Sequence, residues 1–384
     1  MSISALVSKS LEQIRQDLFD FIGAKQDEYA AAGWLPRLLN LNKGIVRGMI
    51  EIWAWGLWLL YQFLAVVLKQ AFASTATGGW LDLHCLDVGV TRKEAVKASG
   101  TVYFTRVGSV GNVPILAGRV VKTLPDGAGQ VYRYITTVAA LLPDGESEIA
   151  VPVAAEEYGA ASNVTAGQIS EIVTVIPGID GVENRAGWLL VEGSDREEDE
   201  PLRLRYFLAW KTGNGCTKYA YEGWALAVTG TESVRILDNH PRGQGTVDVV
   251  VKGTAGIPTA GLLALVNTAV QSNIPINDDA LVKGPTPVNV AIAGNLELTS
   301  GEPAVIVALA ENRLRALFAP VLTVADVPPL LIGQDLPLEL QTWAVMGIPG
   351  VKKPTWTNLA TAVAEDELAV LVSVDLTWSW ASEE

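Results

Sequence analysis

Histidine and cysteine are scarce. The 384 residues include two of each: His84, His240, Cys85 and Cys216. The cysteines are far apart and form no CxxC pair, which excludes a disulfide framework and a zinc knuckle. Both are expected to be small buried thiols. A histidine-based metal site would need both histidines plus carboxylates, and their spacing gives none. No Lys/Arg run occurs, and the formal charge is −14. Such a chain repels phosphate backbones, so no nucleic-acid partner is expected. Only 18% of residues are charged while 49% are hydrophobic, which excludes disorder and implies much buried surface, some of it against partners. The length fits two to four domains.

Catalytic signatures are missing as well. There is no GxSxG elbow, and GNGCTK (213–218) has its glycines and lysine in the wrong arrangement for a phosphate loop. Aromatics make up 7% and cluster at the two termini, so no aromatic-rich sugar cleft is implied. Trp343 and Trp356 are expected in the core. The chain is therefore not expected to be an enzyme and needs no cofactor. The alternative is a carboxylate-dependent hydrolase of cell-wall glycan, because the geometry of paired acids is invisible in sequence. The N-terminus has early acids and no short apolar core with a cleavage site, which predicts a chain made to stay in the cytoplasm.

What is present begins with GIVRGMIEIWAWGLWLLYQFLAVVLKQAF (44–72). It carries no charge from Ile52 to Leu68 and falls slightly short of a membrane span. Ile45, Met49, Ile52, Gly56, Leu59, Phe63 and Val66 repeat at alternating steps of four and three, a heptad seam, with Trp53 beside it. Arg47, Glu51, Gln62 and Lys69 fall near one line, a narrow wet stripe that lipid would not require. Val7, Leu11, Ile14, Leu18 and Phe21 repeat the seam upstream. Residues 3–25 and 44–72 are thus predicted as two long helices joined by the breaker-rich AAAGWLPRLLN. The second is apolar around most of its circumference, so one neighbour cannot cover it. A bundle completed by other chains is the favoured reading; a membrane segment and an ordinary internal core helix are the alternatives.

After Gly78-Gly79 the character changes. SGTVYFTRVG, GRVVKTL, QVYRYITTVAAL, SEIAVPVAA and QISEIVTVI are strand-like runs, with PDG turns at 125–127 and 143–145. They predict a compact antiparallel domain. Pro177-Gly178 and Gly181 then predict a linker. From 199 onward helix and strand alternate. The tail VLVSVDLTWSW is expected to place Val370, Val372, Val374, Leu376, Trp378 and Trp380 on one face. The fold class is α+β and multidomain: a helical segment 1–75, a β-rich domain 76–190, and two α+β domains, 191–285 and 286–384, each a sheet with helices on one side.

The acid-rich stretch GSDREEDEPLRLR (193–205) could hold a metal, supply a catalytic carboxylate or start a helix. Leu202, Tyr206, Ala209 and Trp210 follow at helical spacing, Asp199 or Glu198 suits an N-cap, and Pro201 is tolerated in a first turn. A calcium loop would need the D-x-D-x-D-G pattern, which is absent. The helix start is the favoured reading.

The order of several short motifs resembles the baseplate J-like family of contractile phage tails and related injection machines. Gly193, Asp195, Glu197, Asp199, Glu200, Leu202, Arg203 and Arg205 form the first. Gly215, Tyr219, Tyr221, Trp224 and Ala225 follow. Then come Gly243, Gly245, Thr246, Val247, Val249 and Val251, and then Gly256, Pro258, Leu262 and Leu263. Upstream, the 81–92 region, Ala98 to Phe104 and 162–167 also fit, so the resemblance covers roughly 80–300. Glu198 stands where a Ser or Thr cap is usual, and Pro201 replaces a free helix-former. The resemblance implies a structural wedge subunit of a virion tail baseplate, assembled in the host cytoplasm. It implies two copies joined to a smaller wedge protein by bundled N-terminal helices. C-terminal domains would link neighbouring wedges into a ring around the hub, in contact with sheath-initiating proteins. On that reading Val7, Leu11, Ile14, Leu18, Phe21, Ile45, Met49, Ile52, Trp53, Leu59, Phe63 and Val66 face the bundle, and Trp378 and Trp380 lie at a ring contact or pack internally. No membrane partner is expected.

Overall fold

A computed structural model of the chain describes residues 9–34, 40–125, 129–212, 215 and 217–381. The expectations for Val7, for the turn at 126–127 and for Cys216 in its glycine loop lie outside the described residues. The chain is α+β and multidomain. It divides into two compact units, Met1–Thr91 with Asp199–Tyr206, and Arg92–Glu198 with Phe207–Glu384.

The first unit is helical. α1 (Leu11–Ala31) starts where Ser10 forms a capping box with Gln13: the Ser10 hydroxyl accepts the Gln13 N–H at 3.1 Å, and the Ser10 N–H donates back to the Gln13 side chain at 2.9 Å. It runs past the expected end at 25 because Ala, Gln and Glu continue it. α2 (Ile45–Gln70) follows Gly44, whose φ of 96° suits only glycine. α3 (Gly79–Asp87) lies in a small core of Ala76, Leu81, Cys85 and Leu202. Residues 76–91, expected in the β-rich domain, therefore pack with the helices, as does the start of α4 (Asp199–Thr212).

The second unit begins with a nearly closed antiparallel barrel. Its strands are β1 (Ser99–Thr105), β3 (Val120–Thr123), β4 (Arg133–Thr136), β6 (Glu148–Ala155), β7 (Ile169–Ile172), β8 (Gly181–Glu183) and β9 (Leu189–Val191), with β2 (Val113–Ile115) and β5 (Ala140–Leu142) as a separate ribbon. The order is β7-β3-β4-β6-β1-β8, and β7 and β8 touch without a ladder. The expected linker at 177–181 is thus a return into the barrel. β8 and β9 both pair with β1, which buries Val182 and Trp188. The Asp180 carboxylate accepts the Val107 N–H at 2.7 Å and fixes that return.

Inward residues alternate along each strand: Val102 and Phe104 on β1, Val151 and Val153 on β6. Trp188 lies across β1 so closely that a Cβ on Gly100 would meet its carbonyl at 2.1 Å, so only glycine fits there. Its indole N–H donates to the Val164 carbonyl at 2.8 Å, and Tyr134 meets it edge-on at 5.5 Å.

The central domain packs α5 (Lys218–Leu226) and α6 (Ala260–Gln271) on the Val249/Val251 face of the sheet β10 (Thr231–Leu237), β11 (Thr246–Gly253) and β12 (Asp279–Lys283). The last domain packs α7 (Pro303–Leu317) and α8 (Leu338–Met346) on the sheet β14 (Val351–Trp356), β13 (Thr286–Leu298) and β15 (Glu367–Trp380). Along β15 the expected alternation breaks. Val290 pairs with Leu371 and Ala291 with Ser373, so Val372 bulges out and is exposed. Ala369, Leu371, Val374 and Leu376 are the core residues, not one series from Val370 to Trp380. Trp356 packs on this core and donates its indole N–H to Thr342 Oγ1 at 2.8 Å, whereas Trp343, expected inside, is exposed.

Candidate functional site

α1 and α2 form an antiparallel hairpin in which Phe19 lies under the Arg47 guanidinium, 5.2 Å from its ring centre, and Gly23 lies beside Leu41. α1 rests on the stripe of α2 that contains Arg47, Ile50, Ala54, Trp58, Tyr61 and Ala65; Ile50 and Ala54 are buried. The heptad seam lies on the other side. Its apolar residues on α2 are exposed, from 42% at Leu59 to 85% at Ile45, with Met49, Ile52, Phe63 and Val66 between. Trp53 is exposed too. On α1, Ile14 is buried, Leu18 half-buried, and Leu11 and Phe21 face outward. The structure thus gathers most of the seam on an uncovered surface and turns Ile14 away from it.

The wet stripe does not hold together. Arg47 pairs with Glu51 at 3.2 Å, both half-buried on the α1 side, while Gln62 and Lys69 are exposed. A second apolar stripe, Leu57, Leu60 and Leu64 next to Trp53, is also exposed. Sequence reasoning did not single it out; its signal is the same four-and-three spacing, one residue along. Monomeric proteins rarely expose so much contiguous apolar surface without a use for it.

The acid-rich stretch is scaffolding. The Glu197 carboxylate accepts the Lys93 N–H at 3.0 Å, and Arg92 donates to the Glu197 carbonyl at 2.7 Å. The Asp199 carboxylate accepts the Gly78 N–H at 3.0 Å. Arg203 donates to the carbonyls of Ala73 and Ala76 at 2.9 and 2.7 Å. Among the described residues no group of three or more His, Cys, Asp or Glu is placed to hold a metal ion. His84 Nε2 lies 2.9 Å from the Gln70 carbonyl, and His240 occupies a turn at φ 53°.

Inside the second unit, two polar joints brace the domains. Asn163 clamps Gly193: its carbonyl oxygen accepts the Gly193 N–H at 2.7 Å and its amide donates to the Gly193 carbonyl at 2.8 Å. The buried Glu192 carboxylate accepts the N–H groups of Ala255 and Thr259 at 3.2 and 2.8 Å and the Thr254 hydroxyl at 3.4 Å. Between central and last domains, Lys252, also buried, donates to the Leu330 carbonyl at 3.0 Å. Lys283 joins Asp248 and Asp366 at 3.1 and 3.0 Å.

These contacts give the motif positions Asn163, Gly193, Glu197, Asp199 and Arg203 structural roles. Residues 101–189 match the baseplate J-like protein barrel domain, and residues 213–284 match the baseplate J-like central domain. Both are domains of the baseplate J-like family. Over 219 residues it is 33% identical to the putative baseplate protein gp29 of Haemophilus phage HP1, covering 56% of this chain and 55% of that protein. It is 27% identical over 204 residues to the phage-like element PBSX protein XkdT of Bacillus subtilis, covering 53% and 52%. The Mu-like prophage FluMu protein gp47 of Haemophilus influenzae is 28% identical over 183 residues, covering 47% and 48%. The matches thus span about half the length of these relatives. Among solved structures, a chain of the anti-feeding prophage baseplate aligns over 93% of this chain and 90% of its own length, at 11% identity and a TM-score of 0.35.

In the central domain, burial works against the charge of Asp248, yet Arg242 at 2.7 Å and Lys283 at 3.1 Å outweigh it and hold the carboxyl below its ordinary range. A depressed folded-state value adds stability that is full above the unfolded value of about 3.9 and is lost as pH falls through the folded one. Asp248→Asn is therefore expected to cost about 2 kcal/mol at pH 7. Denaturant titrations at stepped pH are expected to show that gap closing progressively as pH falls below about 3.9; a gap independent of pH would contradict the pairing.

Proposed function

We propose that this chain is a structural subunit of a phage tail baseplate, or of a related injection particle, that works with other baseplate components and performs no catalysis. Its α1–α2 hairpin bundles with a second copy and a smaller wedge protein. Its last domain links wedges into a ring around the hub, near the proteins that start the sheath. The baseplate J-like domains and the baseplate names of the relatives support the general role. The observation that carries the bundle is the apolar seam of α2 left uncovered by its own unit.

α2 is also the one helix among the described residues that is long and apolar enough to cross a membrane. Its partner argues against lipid. α1 lies along it with seven charged side chains, Glu12, Arg15, Asp17, Asp20, Lys25, Asp27 and Glu28. Each would cost about 2.5–3.5 kcal/mol at mid-bilayer. A water-filled assembly leaves those charges wet.

Co-expression with the neighbouring tail proteins, followed by sizing, tests the reading. A stable complex holding more than one copy of this chain is expected. A monomer that ignores those proteins and partitions into liposomes would overturn it.

A further inference from the structure

β15 is the edge of the last sheet. β13 covers one side of it, and among the described residues no ladder runs along the other. Open edges of this length are normally blunted by proline, lysine or a bulge. Here the bulge at Val372 ends the irregular part, and Ser373–Ala381 beyond it runs in unbroken register with β13 and Leu298. Asp375 is its one charged residue. Trp378 and Trp380 lie on the helix-bearing face, 5.6 Å apart edge-on, and are still 45% and 52% exposed.

We propose that this edge pairs with the same edge of a second copy, antiparallel, about a two-fold axis through Thr377. This rests on the ring-linking reading above and specifies its contact. Thr377 is the centre of the regular stretch 373–381. An axis there joins two three-stranded sheets into one, with both copies' helices on the same side. It sets Leu376 against Trp378 and Val374 against Trp380 on the apolar face. On the other face it sets Asp375 against Ser379 and Ser373 against Ala381. Apolar cross-strand pairs of this kind are favourable. An axis at Asp375 would oppose two like charges, which is not. The sequence window is thus self-complementary in the way an isologous contact requires.

The same geometry sets the strength. An aromatic side chain buries about 150–250 Å², so two half-exposed tryptophans per copy leave roughly 200 Å² to cover. Stable interfaces bury about 1,200–2,000 Å² in total. The edge pair is therefore weak by itself and closes only when the copies are already held together, where effective concentrations reach about the millimolar range. The last domain would then join neighbours after each bundle has formed, not before.

Single cysteines test the register, in full-length chain with Cys85→Ala and Cys216→Ser. Facing antiparallel residues lie about 4.5–5.5 Å apart, within disulfide reach. Thr377→Cys is expected to cross-link to its own copy under mild oxidation. Asp375→Cys and Ser379→Cys alone are offset from themselves by four residues, about 13 Å, and are expected not to. A mixture of those two variants is expected to link. The linked fraction is expected to rise at least tenfold from dilute free chain to the complex co-expressed with tail proteins. Free chain at about millimolar concentration gives the same readout without partners. Absence of the Thr377→Cys link there and in the complex, or equal linking by Asp375→Cys alone, would overturn the proposal. If no complex forms with the tail proteins, the baseplate reading fails; the edge is then judged on the concentrated free chain alone.

Discussion

Replacing Ile52 and Phe63 of α2 together by lysine is expected to abolish co-assembly while leaving the fold intact. Both side chains are more than 60% exposed, so the isolated chain loses little by the change. In a completed bundle each would be buried. Burial of an Ile or Phe side chain contributes about 1.5–3 kcal/mol, and lysine removes that term. Two such losses give about 5 kcal/mol, or roughly a thousand- to ten-thousandfold in association. Sizing after co-expression measures the loss, and a far-UV spectrum with an unchanged melting profile shows that the chain still folds. The variant is also expected to be more soluble by itself. A matched pair on the α1-facing stripe, Ile50→Lys with Ala54→Lys, is expected to unfold the hairpin instead, because those positions are buried against α1. If the outward pair unfolds the chain and the inward pair does not, the assignment of faces is wrong. If the outward pair leaves assembly unchanged, the seam is not an interface.

The sequence made the seam legible because a spacing of 3.5 residues is a property of the chain alone. It could not say which stripe α1 takes. Two apolar stripes adjoin on α2 and both stay exposed; α1 takes a third, where Ala54 lets it approach and Arg47 can lie on Phe19. The start at Ser10 was not read from the sequence, which predicted a helix from residue 3; its capping box with Gln13, like the Thr259 cap whose Oγ1 accepts the Leu262 N–H at 3.2 Å, is nevertheless a local signal. The return of β8 and β9 was hidden. Three-residue strands carry no period, and Pro177-Gly178 beside Gly181 has the composition of a linker. The bulge at Val372 was hidden too: no glycine or proline marks it, and only pairing with β13 reveals the extra residue. The acid-rich stretch was legible as a helix start, but the bonds from Glu197 to Lys93 and from Asp199 to Gly78 span more than a hundred residues.

Glu192 is the sharpest case of a residue with no sequence signal, and it carries the second large effect. It lies just past β9, between the barrel and the central domain, and its carboxylate accepts the N–H groups of Ala255 and Thr259, while the nearby Thr254 hydroxyl has the Gly193 carbonyl at 2.9 Å. Glu192→Ala strands those two part-buried N–H groups, each at a cost of about 1–3 kcal/mol, so a loss of about 4 kcal/mol is expected from denaturant titration. Glu192→Gln keeps one acceptor oxygen and is expected to lose about half as much. The site also explains Gly253. A Cβ there would meet Glu192 Oε2 at 2.3 Å and Oε1 at 2.9 Å, so in Gly253→Ala the carboxylate must swing away and give up its bonds, and a loss of stability is expected although the backbone lies in an ordinary strand. The two losses share one cause, and they cannot add. In Glu192→Ala the space beside Gly253 is empty, so Gly253→Ala made in that background is expected to cost at least about 1 kcal/mol less than it does alone. A double-mutant cycle on the full chain measures the difference. Strict additivity would mean that Glu192 does not hold the joint and that Gly253 is required for some other reason.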